Sequence, residues 1–319
     1  MERLTGKRIL VTGGSGFVGS HVVESLLAIK AKVIIPVRSF EPDSYFHQKS
    51  FSSLTVLVLC DLKDKNRVMD IITKYEIEYI IHLGAQPIVS TAYVNPSETL
   101  ETNIMGTVNI LEVMRLTSGV KGMVFASSDK AYGKSDKPYK ETDALRGDHP
   151  YEVSKSAADL IATSYMKTYN SPIIITRFGN IYGPGDLNFN RIIPGIMKSI
   201  FTNTILDVRS NGKYRREYVF VNDVASAYMF LLNNFTKAKN QAYNISSKER
   251  YSVIDIIKMC KRMFKNTLDF KILDTVVNEI PEQSLNCQKI HTLGWKSTYS
   301  LERGLKESYS WYKTYFDRS

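Results

Sequence analysis

Short apolar runs, most of them β-branched, alternate with helical periodicity through the first 180 residues. The runs cover residues 8–12, 32–37, 54–59, 79–83, 123–126 and 173–176. They are continuously apolar rather than alternating. Strands of that kind are buried on both faces, as in a parallel sheet covered by helices. Helical spacing fills the gaps over 17–29, over 63–75, from Pro96 through Ile104, Val108 and Leu111, and over 151–169. Beyond residue 180 the pattern loosens, with Pro, Gly and Asn crowded into 179–186. Further helices are predicted over 252–264 and 301–312. The expectation is an α/β protein with a doubly wound parallel sheet in residues 1–180. A smaller mixed α/β lobe is expected in 181–319, partly interleaved with the first. No internal repeat or low-complexity tract interrupts this pattern.

Composition narrows the picture modestly. The 319 residues are 43% hydrophobic and 23% charged, as in an ordinary globular protein of one large or two modest domains. No apolar run approaches the ~20 residues of a membrane span, and residues 1–7 lead into a strand without a signal-peptide layout. Cys60, Cys260 and Cys287 are too few and too scattered for a disulfide frame or a zinc site. No metal is therefore expected, and a reducing cytoplasm is the simplest location. The net charge of +10 is spread along the chain without a dense basic arm. This favours a small anionic ligand over nucleic acid.

Candidate chemistry begins at Gly13-Gly14-Ser15-Gly16-Phe17-Val18-Gly19, between the first strand and the first helix. In that context Gly13 permits a tight turn, Gly16 lets backbone N–H groups approach a pyrophosphate, and Gly19 allows close helix–strand packing. The second strand ends in Val37-Arg38-Ser39, with no carboxylate to hold a ribose diol. Arg38 and Ser39 therefore tilt the cofactor expectation from NAD toward NADP. Asp61, before Leu62, either accepts from an adenine amino group or caps the next helix.

Every other suggestive cluster also falls after a strand, where doubly wound sheets bind ligands. Gly84-Ala85-Gln86 follows the fourth strand, Ser127-Ser128-Asp129-Lys130 the fifth, and Phe178-Gly179-Asn180 the sixth. Tyr151 and Lys155 stand four apart, on one face of a helix. A lysine ammonium there favours tyrosinate and makes Tyr151 a candidate base.

With these motifs the chain resembles the extended short-chain dehydrogenase/reductases that act on nucleotide sugars. The carriers are the glycine loop, Asp61-Leu62, His82-Leu83-Gly84-Ala85-Gln86, Asn103-Ile104-Met105-Gly106-Thr107, Tyr151-x3-Lys155, Arg177-Phe178-Gly179-Asn180, Arg216 to Val221 and Leu293-Gly294-Trp295. The resemblance implies a Rossmann-type fold. It implies cofactor contacts from Gly13, Ser15, Gly16, Phe17, Val18, Gly19, Arg38, Asp61, Leu62, Leu83, Ala85, Gln86, Asn103, Tyr151 and Lys155. It also implies nucleotide-sugar contacts from Gln86, Ser128, Asn180, Arg191, Arg209 and Arg216, with Arg215 beside the last and the inward one of the two undecided. A homodimer through helices near 97–116 and 151–169 belongs to the same expectation.

Ser128-Asp129-Lys130 is similar to the stretch in CDP-glucose 4,6-dehydratases. The implied reaction is loss of water from a nucleotide-activated hexose. Tyr151 deprotonates the 4-hydroxyl, Ser128 bonds the same oxygen and Lys155 holds the nicotinamide ribose. Asp129 protonates the departing 6-hydroxyl. Where commoner dehydratases carry a glutamate, Lys130 is either the base at C5 or a structural partner of Asp129. The alternatives are a 4-epimerase or 4-ketoreductase using Tyr151 and Lys155, and a cofactor-binding regulator without catalysis.

Overall fold

A computed structural model describes residues 4–135, 137–265, 268–275 and 282–318. Seven strands form its main sheet: β1 (Arg8–Thr12), β2 (Lys32–Val37), β3 (Val56–Leu59), β4 (Tyr79–His82), β5 (Gly122–Ala126), β6 (Ile173–Phe178) and β10 (Gln241–Ile245). All pairings are parallel, in the order β10-β6-β5-β4-β1-β2-β3. The apolar runs sort by strict alternation. Ile9, Val11, Val33, Ile35, Ile81, Val124 and Ile174 enter one core, while Leu10, Ile34, Ile80, Met123, Phe125, Ile173 and Ile175 enter another. Successive side chains point to opposite faces, so a strand apolar throughout requires a core on each side. The sheet has one, which is the doubly wound α/β architecture anticipated from the pattern.

Six further strands lie among the described residues: β7 (Asn180–Tyr182), β8 (Leu206–Val208), β9 (Arg215–Phe220), β11 (Arg250–Ser252), β12 (Phe270–Ile272) and β13 (Glu282–Gln283). β9 is the hub of a four-stranded sheet with β7, β11 and β13, and β8 pairs with β12. A third apolar cluster, with Ile193, Met197, Phe220, Ile257, Leu305 and Tyr312, lies among these strands and the helices Ile192–Thr202, Val253–Phe264 and Leu301–Phe316.

Three local features depart from the periodicity. The helix expected from residue 63 begins later, because Asp64 accepts from Arg67 N at 3.0 Å and caps Lys65–Lys74. The cap is thus Asp64, not Asp61. The helical stretch after Pro96 is interrupted by a π turn, Glu101–Met105, between Pro96–Leu100 and Gly106–Leu116. Such bulges are frequent at functional sites. Finally, β10 returns from the second half of the sequence to the edge of the main sheet. The helix Val221–Asn233 carries Val224, Ala227 and Leu231 into the core that also holds Val22 and Leu26 of the helix Phe17–Ala28.

Candidate active site

The first strand ends in a turn that only glycine fits. Gly13 has φ +68°, and a Cβ there would sit 2.9 Å from the backbone nitrogen of Gly84. A Cβ on Gly19 would stand 2.0 Å from the Gly13 carbonyl. Two backbone segments are therefore in contact at the switch between β1 and β4. The helix Phe17–Ala28 begins there with Gly16 as N-cap and no side-chain cap. Its first N–H groups are unclaimed by side chains, with Ser15, Phe17 and Val18 half-buried around them. Beneath the turn, Thr12 Oγ1 accepts from Gly84 N at 2.9 Å and contacts His82 Nδ1 at 2.7 Å. His82 Nε2 lies 3.0 Å from Thr107 Oγ1. Burial, with Lys155 nearby, lowers His82 to about 3, so it is a neutral strut.

Around this cradle, Leu62, Leu83 and Ala85 are half-buried. Asp61 Oδ1 accepts from Lys63 N at 2.9 Å, which shapes its own loop. Arg38 forms an exposed pair with Glu98 at 3.4 Å. Asn103 stands on the π turn and commits its amide to the neighbouring loop. Its Oδ1 accepts from Gln86 N at 2.7 Å, and its Nδ2 donates to Gln86 O at 3.1 Å and Ser154 Oγ at 2.9 Å. The Gln86 side chain is likewise held locally, by Thr99 Oγ1 at 2.7 Å and by both backbone atoms of Ile88.

β5 delivers the reactive cluster. A 3₁₀ turn, Asp129–Tyr132, follows it and is capped by Ser128. Ser128 Oγ donates to Asp129 Oδ1 at 3.2 Å, and the Ser128 hydroxyl is one of the groups that favour the Tyr151 phenolate. Lys130 Nζ contacts Asp129 Oδ2 at 3.0 Å and Oδ1 at 3.2 Å, Asn180 Oδ1 at 3.4 Å and Gln283 Oε1 at 2.6 Å. Asp129 is buried, whereas the Lys130 side chain is 24% exposed.

The helix Pro150–Tyr169 starts with proline at its first position, where a missing N–H costs nothing. It presents Tyr151 and Lys155. Lys155 Nζ donates to Ala126 O at 3.1 Å, and burial lowers its pKa to about 8. Tyr151 differs from expectation: burial raises its phenol, while Arg191 and the Ser128 hydrogen bond pull it down. The helpful cation here is thus Arg191, because Lys155 is desolvated and directed at a carbonyl. Arg191 also bonds Asp186 Oδ1 at 3.0 Å. Deeper in the same helix, Asp159 and Arg177 form a buried two-armed pair at 2.8 Å, and Arg177 lies over the Tyr132 ring. This pair bolts the helix to β6.

The remaining sequence-derived positions divide. Asn180 reaches the cluster, with its Nδ2 donating to Glu217 O at 3.1 Å. Of the β9 arginines, Arg215 is exposed and Arg216 half-buried. Arg209 is exposed and bonds Asn190 O at 2.9 Å. Two buried polar residues were not picked out as site members: Glu217 and Gln283. Glu217 accepts from Leu285 N at 3.1 Å, and burial raises its carboxyl to about 7, with Asp129 adding to the rise. The signal available for Glu217 was an acidic residue placed between two arginines and the apolar end of β9, Tyr218–Phe220. Gln283 stands 153 positions from Lys130, and β13 is two residues long. No local pattern marks it.

Fold and site together define a dinucleotide-dependent α/β enzyme whose polar cluster lies beyond the carboxyl ends of the strands. Residues 9–246 match the profile of the NAD dependent epimerase/dehydratase family, and the chain belongs to that family. Among curated relatives, a dTDP-D-glucose 4,6-dehydratase of Mus musculus is 29% identical over 97% of this chain and 90% of its own length. A probable dTDP-glucose 4,6-dehydratase of Sinorhizobium fredii is 26% identical, covering 96% of this chain and 92% of the relative. Among solved structures, a dTDP-glucose 4,6-dehydratase from Bacillus anthracis in complex with NAD superposes with a TM-score of 0.85 at 26% identity, over 97% of each chain. A UDP-glucose 4-epimerase with UDP-glucose, from Thermotoga maritima, gives 0.88 at 26% identity, over 96% of this chain and 99% of its own. Among the described residues no helix is long and apolar enough to cross a membrane.

Proposed function

We propose that this protein is a nucleotide-sugar 4,6-dehydratase that converts an NDP-hexose to its 4-keto-6-deoxy form. One observation carries the reading: a buried carboxylate, Asp129, and an amine, Lys130, lie 3.0 Å apart, and the same carboxylate accepts from Ser128 Oγ at 3.2 Å. Oxidation at C4 alone needs only the hydroxyls and Lys155. A second acid–base pair fits a reaction that also removes a C5 proton and a C6 hydroxyl.

The residues present fit a nicotinamide dinucleotide. The Gly13–Gly19 turn is drawn tight by glycines at 13 and 19 where a Cβ would strike backbone, and Ser127 Oγ is buried with no partner among the described residues. Gly13, Ser15, Gly16, Phe17, Val18 and Gly19 would hold the pyrophosphate, Asp61 and Leu62 the adenine side, and Lys155 the nicotinamide ribose. Bound there, the dinucleotide would supply the hydride acceptor for C4 and the hydride donor for C6. For the dinucleotide itself the reading leans to NADP. No carboxylate ends β2, and the exposed Arg38–Glu98 pair is weak enough to yield Arg38 to a phosphate.

Tyr151 accepts the 4-hydroxyl proton, and Ser128 steadies that oxygen. Moving one proton from Lys130 Nζ to Asp129 across the ion pair produces a neutral base and a neutral acid without an outside donor. Lys130 then takes the C5 proton as Asp129 gives its proton to the departing oxygen. The C6–O bond breaks and water leaves; the proton held on Lys130 goes back to C5 as hydride reaches C6. Arg191, Arg209, Arg216 and Asn180 are the proposed diphosphate and nucleotide contacts.

Residues 1–180 are read as the cofactor part and 181–319 as the nucleotide-sugar part, with β10 and the helix Val221–Asn233 exchanged between them. A homodimer is supported by the exposed apolar residues Val94, Met105, Val153 and Leu160 on adjacent helices. A cytoplasmic location is supported by three buried, unpaired cysteines. The test is product mass from a panel of nucleotide hexoses. Loss of one water is expected. An isomer of unchanged mass would overturn the reading in favour of 4-epimerisation.

A further inference from the structure

The segment from residue 282 to 286 brings the far end of the chain to the reactive cluster. β13 runs parallel to β9, with Gln283 in register with Arg216. Tyr139 N donates to Ser284 O at 2.9 Å, and Asn286 N donates to Tyr139 O at 2.9 Å. Leu285 N is held by Glu217. Backbone bonds on both sides thus fix the root of the Gln283 side chain. That side chain is buried, with Oε1 accepting from Lys130 Nζ at 2.6 Å, the shortest of the lysine's contacts. Its Nε2 is buried and has no hydrogen-bond partner among the described residues. A buried amide donor without an acceptor is costly, and a bound ligand is a natural place for the missing acceptor.

We propose that Gln283 positions Lys130 through Oε1 and reads the substrate through Nε2, which donates to a hydroxyl of the bound sugar. The proposal rests on the dehydratase reading above. A neutral amine keeps two N–H bonds and one lone pair. The oxygens of Asn180 and Gln283 are two neutral acceptors for those bonds, so together they set the direction of the lone pair. An amide suits this place better than a carboxylate, which would hold Lys130 as an ammonium and disable it as a base. The titratable and charged groups around the cluster are Asp129 on the 3₁₀ turn, Tyr151 and Glu152 on the helix Pro150–Tyr169 with His149 at its cap, Arg191 before the helix Ile192–Thr202, and Glu217 with Arg216 on β9 and Arg250 on β11.

Two variants test the assignment, each checked for wild-type cofactor content and thermal midpoint. Gln283→Leu removes both polar atoms. Its kcat should fall about tenfold or more, its KM should rise, and exchange of the C5 hydrogen with deuterated solvent should slow in step with kcat. Gln283→Glu keeps the shape and adds a charge. The limb on which kcat rises with pH should move to higher pH, a change that loss of packing alone would not produce. Unchanged kcat and C5 exchange in Gln283→Leu, with an unmoved limb in Gln283→Glu, overturn the assignment. Should Gln283→Leu fail to fold, the near-isosteric Gln283→Glu decides alone. A wild-type enzyme that isomerises sugars without losing water overturns the dehydratase reading itself. One that dehydrates while both variants match it overturns only the role of Gln283.

Discussion

The Tyr151 hydroxyl, the base of the proposed reaction, is under opposing influences, and their balance would set the pH at which it acts. Burial disfavours the phenolate, whereas the Arg191 guanidinium and the Ser128 hydrogen bond favour it. The net displacement is upward, so the base form becomes available only as pH rises. Removing the guanidinium should raise the phenol further. In Arg191→Met, the limb on which kcat rises with pH should therefore move to higher pH, while Arg191→Lys, which keeps the charge, should hold it near wild type. A pH profile of kcat at saturating substrate reads this separately from any loss of phosphate binding, which falls on KM. An identical limb in wild type and Arg191→Met would refute the electrostatic link. Asp186 adds a stability cost to this variant, because it is buried beside Arg191 and loses its ion partner.

At the scale of elements, β9 combines two duties that conflict. It is the hub of the second sheet, and it carries Glu217, 4% exposed, into the interior. Burial raises this carboxyl from 4.5 to about 7 despite Arg250 Nε at 3.5 Å. The sign follows from linkage. Between about 4.5 and about 7 the folded chain holds a proton that the unfolded chain has released, so stability from this group is complete at low pH. It is lost as pH rises through the folded pKa. Glu217→Gln keeps an acceptor for Leu285 N and removes the charge. Relative to wild type it should gain stability as pH rises from 5 to 8, by up to about 3 kcal/mol. Thermal melts of both proteins across that range measure the difference. A difference independent of pH would show that Glu217 does not titrate there.

β9 also shows where sequence reading stops. The main-sheet runs were legible because a two-faced core demands apolar residues at every position, as in Val33-Ile34-Ile35. The turn at Gly13, the capped loop at Ser128 and the Tyr151–Lys155 face were legible because their spacing is local. β10 was not, since Gln241-Ala242-Tyr243-Asn244-Ile245 is half polar. Its place depends on Asn244 bonding Tyr132 and Tyr139 from elsewhere in the fold. Gln283 was hidden for the same reason. A two-residue strand has no periodicity, and its importance arises only when Lys130 is brought to it.

For the whole molecule, the remaining question is what covers the helices opposite the sheet. Tyr165 donates to Glu112 at 3.0 Å, and Arg115 lies over the Tyr169 ring, so the helices Gly106–Leu116 and Pro150–Tyr169 move as one body. The outer side of the second leaves Leu160 55% and Val153 39% exposed, with Met105 at 49% on the π turn Glu101–Met105 and Val94 at 87% on the helix Val89–Val94. Val153 and Leu160 are seven residues apart and share a face. Scattered exposed apolar residues need no explanation, but a stripe across neighbouring helices marks an interaction surface. A second copy related by two-fold symmetry would bury the same stripe against itself. Leu160→Arg should then place like charges opposite one another near the axis and shift the protein from dimer to monomer in sedimentation velocity. The fold of each chain should persist, because Leu160 adds little to the chain's own core. A wild type that sediments as a monomer at micromolar concentration would refute the dimer. A Leu160→Arg dimer of unchanged affinity would move the interface away from this face.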